Sequence, residues 1–133
     1  DGVHLGQNDL PVEQARKLQM APLIIGKSTH SLKQLSAACS EDLTYVGLGP
    51  VFATATKPGA DAVGLEYVTG ATQVLAGTGI GHTAIGGITP DNVERVLEAG
   101  ARSIAVCSAV THASDPAAAC RAFKDKIDDF GKD

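Results

Sequence analysis

Two pairings of residue type and position in this 133-residue chain suit a phosphorylated ligand. The segment GPVFATATKPG at Gly49–Gly59 carries Thr54, Thr56 and Lys57, with Ala55 between the threonines. Hydroxyls donate hydrogen bonds and lysine supplies a compact point charge, so the set matches phosphate oxygens. A solvated surface loop would use the same residues. AIGGI at Ala84–Ile88 and IAVCSAV at Ile104–Val110 each run from an apolar stretch toward a helix start. Glycine admits close approach of backbone N–H groups to an anion, and a helix N-terminus adds a favourable dipole. Gly86, Gly87, Cys107 and Ser108 are therefore expected to hold a phosphate. The alternative is that the two glycines only turn the chain.

The opening DGVHLGQND offers His4, Gln7 and Asp9. Asp9 lies just beyond an expected strand end, where a carboxylate can bind Mg²⁺, a cation that prefers oxygen ligands and often bridges to substrate phosphates. Capping of a helix that opens at Pro11 explains Asp9 equally well. His4 falls inside the strand run and reads as a hydrogen-bonded core histidine. Ser28, at a second strand end, can donate to a phosphate. His30 has the chemistry of a general acid or base, but a partly exposed helix-entry residue is the preferred reading. His82 and His112 fall in loops and read as surface residues.

The elements that must position these groups are short. Gly2–Leu5, Leu23–Gly26, Tyr45–Leu48, Thr83–Ile85 and Ser103–Val106 are apolar and rich in β-branched residues, and too short for helices. Each is followed by a small polar or glycine turn and then a helical pattern, best seen in DNVERVLEAGA. Thr89-Pro90-Asp91 and Asp115-Pro116 read as helix starts, Ser31 with Gln34 as a capping box, and Gly100 as a helix stop. Val3, Ile24 and Tyr45 stand 21 residues apart, as do Thr83 and Ile104. A strand plus a crossover helix fits that period and implies a parallel sheet. The 38-residue step from Tyr45 to Thr83 holds a long loop, Gly49–Gly64, and such loops are usually functional. Five βα units suit either an open doubly wound sheet or part of a barrel. The short strands and the paired phosphate signature of the last two units favour the barrel.

With 44% apolar and 20% charged residues, the composition is that of a globular domain. The net charge of −4 and the lack of a basic stripe argue against nucleic acid as a partner. The three cysteines, Cys39, Cys107 and Cys120, form no CxxC pair, so no zinc ribbon or disulfide framework is suggested. They read as buried thiols in a reducing, cytoplasmic compartment. No apolar run approaches the ~18 residues of a membrane span. The chain starts without Met and directly in a strand-like segment, which gives the expectation that something upstream is absent.

DGVHLGQND, IIGKSTHSL, YVGLGPVFATATKP, AIGGITPDNV and SIAVCSAV resemble, in order and spacing, successive motifs of thiamine-phosphate synthase. The resemblance covers nearly the whole chain. It implies an α/β fold of the (β/α)8 TIM-barrel type, present as an incomplete barrel of strands 4–8 and their helices, with residues 1–133 as its C-terminal portion. It implies a transferase that joins hydroxymethylpyrimidine diphosphate to hydroxyethylthiazole phosphate, with Mg²⁺, giving thiamine monophosphate and pyrophosphate. Asp9 would then be one of two Mg²⁺-binding aspartates. Ser28 and Lys57 would contact the pyrimidine diphosphate and act in catalysis. Thr54, Ala55, Thr56, Gly87, Cys107 and Ser108 would hold the thiazole phosphate. The family mechanism is a dissociative substitution that needs no protein nucleophile. The family's earlier Gln/Arg/Lys segment and its Asn-Asp pair are not in this chain. The expectation is that it is inactive alone, unless self-association or a complementing chain restores the missing units. The chain also reads Ala-Thr-Ala-Thr where prolines commonly precede the threonines. A related thiazole tautomerase, with His30 as proton shuttle, is the nearest alternative, and the intact Thr54-Ala55-Thr56-Lys57-Pro58 stretch argues against it. A non-catalytic phosphate-binding fragment is a third reading.

Overall fold

Burial and pairing, more than polarity, decide where the strands end. In the computed structural model, which describes residues 1–18, 23–56 and 59–132, the strands are Gly2–Leu5 (β1), Ile24–Thr29 (β2), Tyr45–Leu48 (β3), Gly81–Ile85 (β4) and Ile104–Ala105 (β5). The helices are Val12–Lys17 (α1), Leu32–Ala38 (α2), Gly64–Leu75 (α3), Val93–Glu98 (α4), Ser108–Thr111 (α5) and Pro116–Asp129 (α6). All neighbouring strands are parallel, and the sheet order is β1-β2-β3-β4-β5. A doubly wound sheet reverses its strand order at a switch point. This sheet has no such reversal, so the doubly wound alternative falls.

The sequence reading stops β2 at Gly26 and assigns Lys27–Thr29 to a turn, but the strand continues to Thr29. Its polar side chains stay in the strand because each finds a partner. Lys27 pairs with Glu41 at 2.7 Å. Thr29, fully buried, donates to the Gly47 carbonyl at 3.0 Å and accepts from Tyr67 Oη at 2.7 Å. That chain of bonds ties α3 to the middle of the sheet. Removing one partner differs from removing the other. Tyr67→Phe loses one bond and should cost about 1 kcal/mol, whereas Thr29→Val leaves a buried phenol without its acceptor and should cost about 1–3 kcal/mol more than a neutral swap. Urea melts of the two variants test that order.

β4 also starts earlier than expected, at Gly81, and takes in His82. The expectation of a loop histidine at the surface is therefore corrected. His82 is half-buried, and its Nε2 accepts from the Arg102 backbone N–H at 3.1 Å. Burial, and then the Arg102 charge, push its imidazole below the usual 6.5. The unfolded chain therefore takes up this proton first as pH falls. The contribution is complete above pH 6.5 and is lost as pH drops below it. His82→Gln should flatten the loss of stability between neutral and mildly acidic pH; an unchanged slope would contradict this.

The core has two lobes. One lies under β1–β3, with Ile25, Leu35, Val46 and Leu48 at its centre. The other gathers Val68, Ala84, Val93, Val96 and Phe123. Helix α3 joins them, giving Tyr67, Ala71 and Leu75 to the first and Val68 to the second. The caps agree in part with expectation. Ser31 Oγ accepts from the Gln34 N–H, but Gln34 Oε1 returns to the His30 N–H instead of Ser31, so the box is displaced by one residue. Asp115 caps α6 through the Ala118 N–H at 2.9 Å. Thr89 does not cap α4: residues 89–92 form a turn closed by Asn92, whose Oδ1 accepts from the Thr89 N–H at 2.8 Å. The expectation of three buried thiols is also corrected, because Cys107 and Cys120 are exposed and only Cys39 is half-buried. Among the described residues no helix is long and apolar enough to cross a membrane.

Candidate functional site

Parallel strands deliver the turns after β1–β5 to one edge of the sheet. A cleft of about 490 Å³ opens there. Ser28, Thr54, Thr56, Gly87, Cys107 and Ser108, all nominated from sequence, line it together with Gly86. Ala55, between the two threonines, does not line it. Lys57 lies outside the described residues. Asp9 does not line the cleft. Its Oδ2 accepts from the Gly6 N–H at 2.6 Å, and the same turn is tied to the end of β2 by Gln7 Nε2, which donates to the Ser28 carbonyl at 2.7 Å. The helix-capping alternative for Asp9 is corrected by this bond: α1 has Pro11 as its N-cap and no side-chain cap.

The long loop is pinned at both ends. Val51 N–H donates to the Ile85 carbonyl at 2.9 Å and Phe52 N–H to Gly86 at 3.0 Å. Val63 and Gly64 return to Pro50 and Val51. Between these anchors, Thr54 Oγ1 accepts from the Thr56 N–H at 3.2 Å, which ties together the two threonines that line the cleft. Gly86 and Gly87 have φ of +104° and +63°, conformations that favour glycine. A Cβ on Gly86 would stand 2.4 Å from Pro50 Cβ, and one on Gly87 2.6 Å from the Ala53 carbonyl oxygen. The glycines therefore do more than turn the chain: they let the long loop lie directly against the turn after β4. Asn92 Nδ2 holds that turn through the Gly87 carbonyl at 3.0 Å.

The described lining contains no Asp, Glu, Lys or Arg. An anion entering it meets hydroxyls, backbone and imidazoles, and no carboxylate repels it. Among the described residues no cluster of three metal-ligating side chains occurs. Mg²⁺ commonly needs only one or two carboxylates when substrate phosphates complete its shell. Asp9, with one oxygen committed to Gly6, fits that minimal donor set.

His30 behaves as the helix-entry residue expected, exposed and one position before the Ser31 cap, and it also lines the cleft. Its Nδ1 faces the Gly49 carbonyl, an acceptor, so Nδ1 carries the proton. His4 and Tyr45 line the cleft too, although neither is a nominated site residue. His4 is hydrogen-bonded as expected, but it is exposed and not a core residue. Strand pairing, and not the 21-residue period, brings them together: it sets His4 opposite Gly26 and Gly26 opposite Tyr45, all on one face.

Comparison with known proteins points the same way. A family model described as thiamine monophosphate synthase matches residues 1–110. The chain is 49% identical over 127 residues to the thiamine-phosphate synthase of Synechococcus sp. (strain WH7803), covering 96% of this chain and 35% of that protein. It is 46% identical over 127 residues to the thiamine-phosphate synthase of Thermus thermophilus, covering 96% of this chain and 60% of that one. Among solved structures, the thiamine phosphate pyrophosphorylase from Pyrococcus furiosus superposes with a TM-score of 0.84 at 37% identity, over 96% of this chain and 59% of that one. The chain thus spans 35% and 60% of the length of these two curated relatives.

Proposed function

The chain belongs to the thiamine monophosphate synthase family, and on that premise we propose that it supplies the thiazole-phosphate site, and part of the diphosphate site, of an enzyme that couples hydroxymethylpyrimidine diphosphate to hydroxyethylthiazole phosphate. The observation that carries this reading is the single cleft shared by Ser28, Thr54, Thr56, Gly87, Cys107 and Ser108, with no carboxylate in its described wall.

In the reaction the bond from the pyrimidine methylene to the diphosphate oxygen breaks, and its electron pair leaves with pyrophosphate. The thiazole nitrogen then donates its lone pair to that carbon. The protein's work is to bind, to orient and to stabilise the departing charge. Thr54, Ala55, Thr56, Gly87, Cys107 and Ser108 hold the thiazole phosphate and aim its ring. Ser28 and Lys57 donate to the diphosphate, and their donors strengthen as its negative charge grows. Asp9 would hold Mg²⁺, which when bound would neutralise charge on the leaving group. No protein base is needed, since the attacking nitrogen carries no proton. Residues 1–133 are read as the C-terminal portion of one (β/α)8 barrel, strands 4–8, in a cytoplasmic enzyme; the remaining units come from the rest of the protein or from another chain.

A coupling assay tests the proposal. Pyrophosphate release that requires both substrates supports it. Isomerisation of a thiazole phosphate without pyrophosphate release would replace it with the tautomerase reading. Thiol labelling tests the binding half separately. Cys107 and Cys120 are both exposed, but only Cys107 lines the cleft. Thiazole phosphate should slow alkylation of Cys107 and leave Cys120 unchanged; equal rates at Cys107 with and without ligand would contradict the assigned site.

A further inference from the structure

The inner face of the sheet carries a second layer of chemistry beneath Ser28. Strand pairing sets His4 beside Gly26, Gly26 beside Tyr45, and Ser28 beside Gly47. Two of these positions are glycines, and two rings occupy the space. A Cβ on Gly26 would stand 2.2 Å from Tyr45 Cζ, and one on Gly47 would stand 3.4 Å from His4 Cε1. Each ring therefore lies across a glycine of a different strand. The ring centroids are 5.5 Å apart. His4 Nδ1 is 2.9 Å from Tyr45 Oη, and His4 Nε2 is 2.8 Å from Ser28 Oγ.

We propose that Tyr45 and His4 are positioning residues that turn the Ser28 hydroxyl into a committed hydrogen-bond donor toward the cleft. A neutral imidazole has one donor and one acceptor nitrogen. The Tyr45–His4–Ser28 chain can therefore run in two directions. In one, Tyr45 O–H donates to Nδ1, Nε2–H donates to Ser28 Oγ, and the Ser28 hydrogen is left for the ligand. In the other, Ser28 O–H donates to Nε2 and presents lone pairs to the cleft. An anionic ligand is repelled by the second and selects the first. The ligand's charge selects the direction, the phenol supports it by donating to Nδ1, and the Ser28 hydrogen meets the phosphate oxygen. The inference rests on the proposed role of Ser28 at the diphosphate.

The test compares Ser28→Ala, Tyr45→Phe, His4→Ala and His4→Gln in the complete enzyme. Tyr45→Phe keeps the ring over Gly26 and removes only the O–H. It should raise the KM for the pyrimidine diphosphate about tenfold, the weight of one hydrogen bond to a charged group, and leave the KM for thiazole phosphate unchanged. His4→Gln keeps an N–H near the Nε2 position and should recover most of what His4→Ala loses. In a Ser28→Ala background, Tyr45→Phe should have no further effect. Nitrogen-15 spectra of His4 should show the Nε2–H tautomer in the wild type with diphosphate bound, and a loss of that preference in Tyr45→Phe. If Ser28→Ala raises the diphosphate KM while Tyr45→Phe and His4→Ala do not, the positioning role is refuted and the proposed function stands. If Ser28→Ala itself has no effect, the assignment of Ser28 fails and the inference falls with it. An equal rise in both KM values would mark a structural role only and also overturn it.

Discussion

Alanine at Gly87 is expected to reduce thiazole-phosphate affinity by about two orders of magnitude. A non-glycine residue at φ +63° costs about 1–2 kcal/mol in backbone strain. The new Cβ would also stand 2.6 Å from the Ala53 carbonyl and 2.8 Å from Phe52 Cβ. Relieving such a contact in packed structure costs a further ~1–3 kcal/mol. The cheapest relief is retreat of the long loop, which carries Thr54 and Thr56 away from the cleft. Gly86→Ala should be at least as damaging, since its Cβ meets Pro50 at 2.4 Å. Gly77→Ala is the control. It also has positive φ, +80°, but nothing lies within 4 Å of its Cβ. It should lower stability by about 1–2 kcal/mol and leave affinity unchanged. Calorimetric titration of the three variants decides the matter. Equal affinities for Gly87→Ala and wild type would show that the loop contact does not shape the site.

Replacing Lys57 with Ala is expected to slow coupling by about 10²–10³, the usual cost of losing one donor aimed at developing charge. The effect should fall on the chemical step and on the diphosphate, with thiazole-phosphate affinity unchanged. Lys57→Arg should restore only part of the rate, because a planar fork does not reproduce a compact ammonium. The physical support is positional: Thr56, its neighbour, lines the cleft beside Gly87 and Ser28. Rapid-quench measurement of the chemical step, with both substrates saturating, separates this outcome from simple loss of binding. A rate within about threefold of wild type would remove Lys57 from the proposed mechanism.

Legibility in sequence followed the range of the interactions involved. The five strands and their parallel sense are readable because short β-branched apolar runs alternate with helical patterns, at a 21-residue step in three of the four connections. Gly86, Gly87, Cys107 and Ser108 were readable because each follows a strand directly. The extension of β2 through Lys27 and Thr29 was not. Their partners, Glu41, Gly47 and Tyr67, lie 14, 18 and 38 residues away. His82 was misplaced for the same reason, its donor being the backbone of Arg102. His4 reads in sequence as a core histidine, and Tyr45 carries no signal of its own, because a ring lying across another strand's glycine leaves no trace in either strand alone. The exposure of Cys107 and Cys120 contradicts a composition-based rule, and at Cys107 the reason is its place on the wall of the cleft.

The most direct test of the central claim is an amide-resolved NMR titration of the protein with thiazole phosphate, followed by pyrimidine diphosphate and Mg²⁺. The first ligand should shift Thr54, Thr56, Gly86, Gly87, Cys107 and Ser108 along one saturation curve. The second should add Ser28 and the Gly6–Asp9 turn. Shifts confined to one of these segments, or centred on the separate groove of Ile104, Phe123 and Ile127, would contradict a shared phosphate cleft.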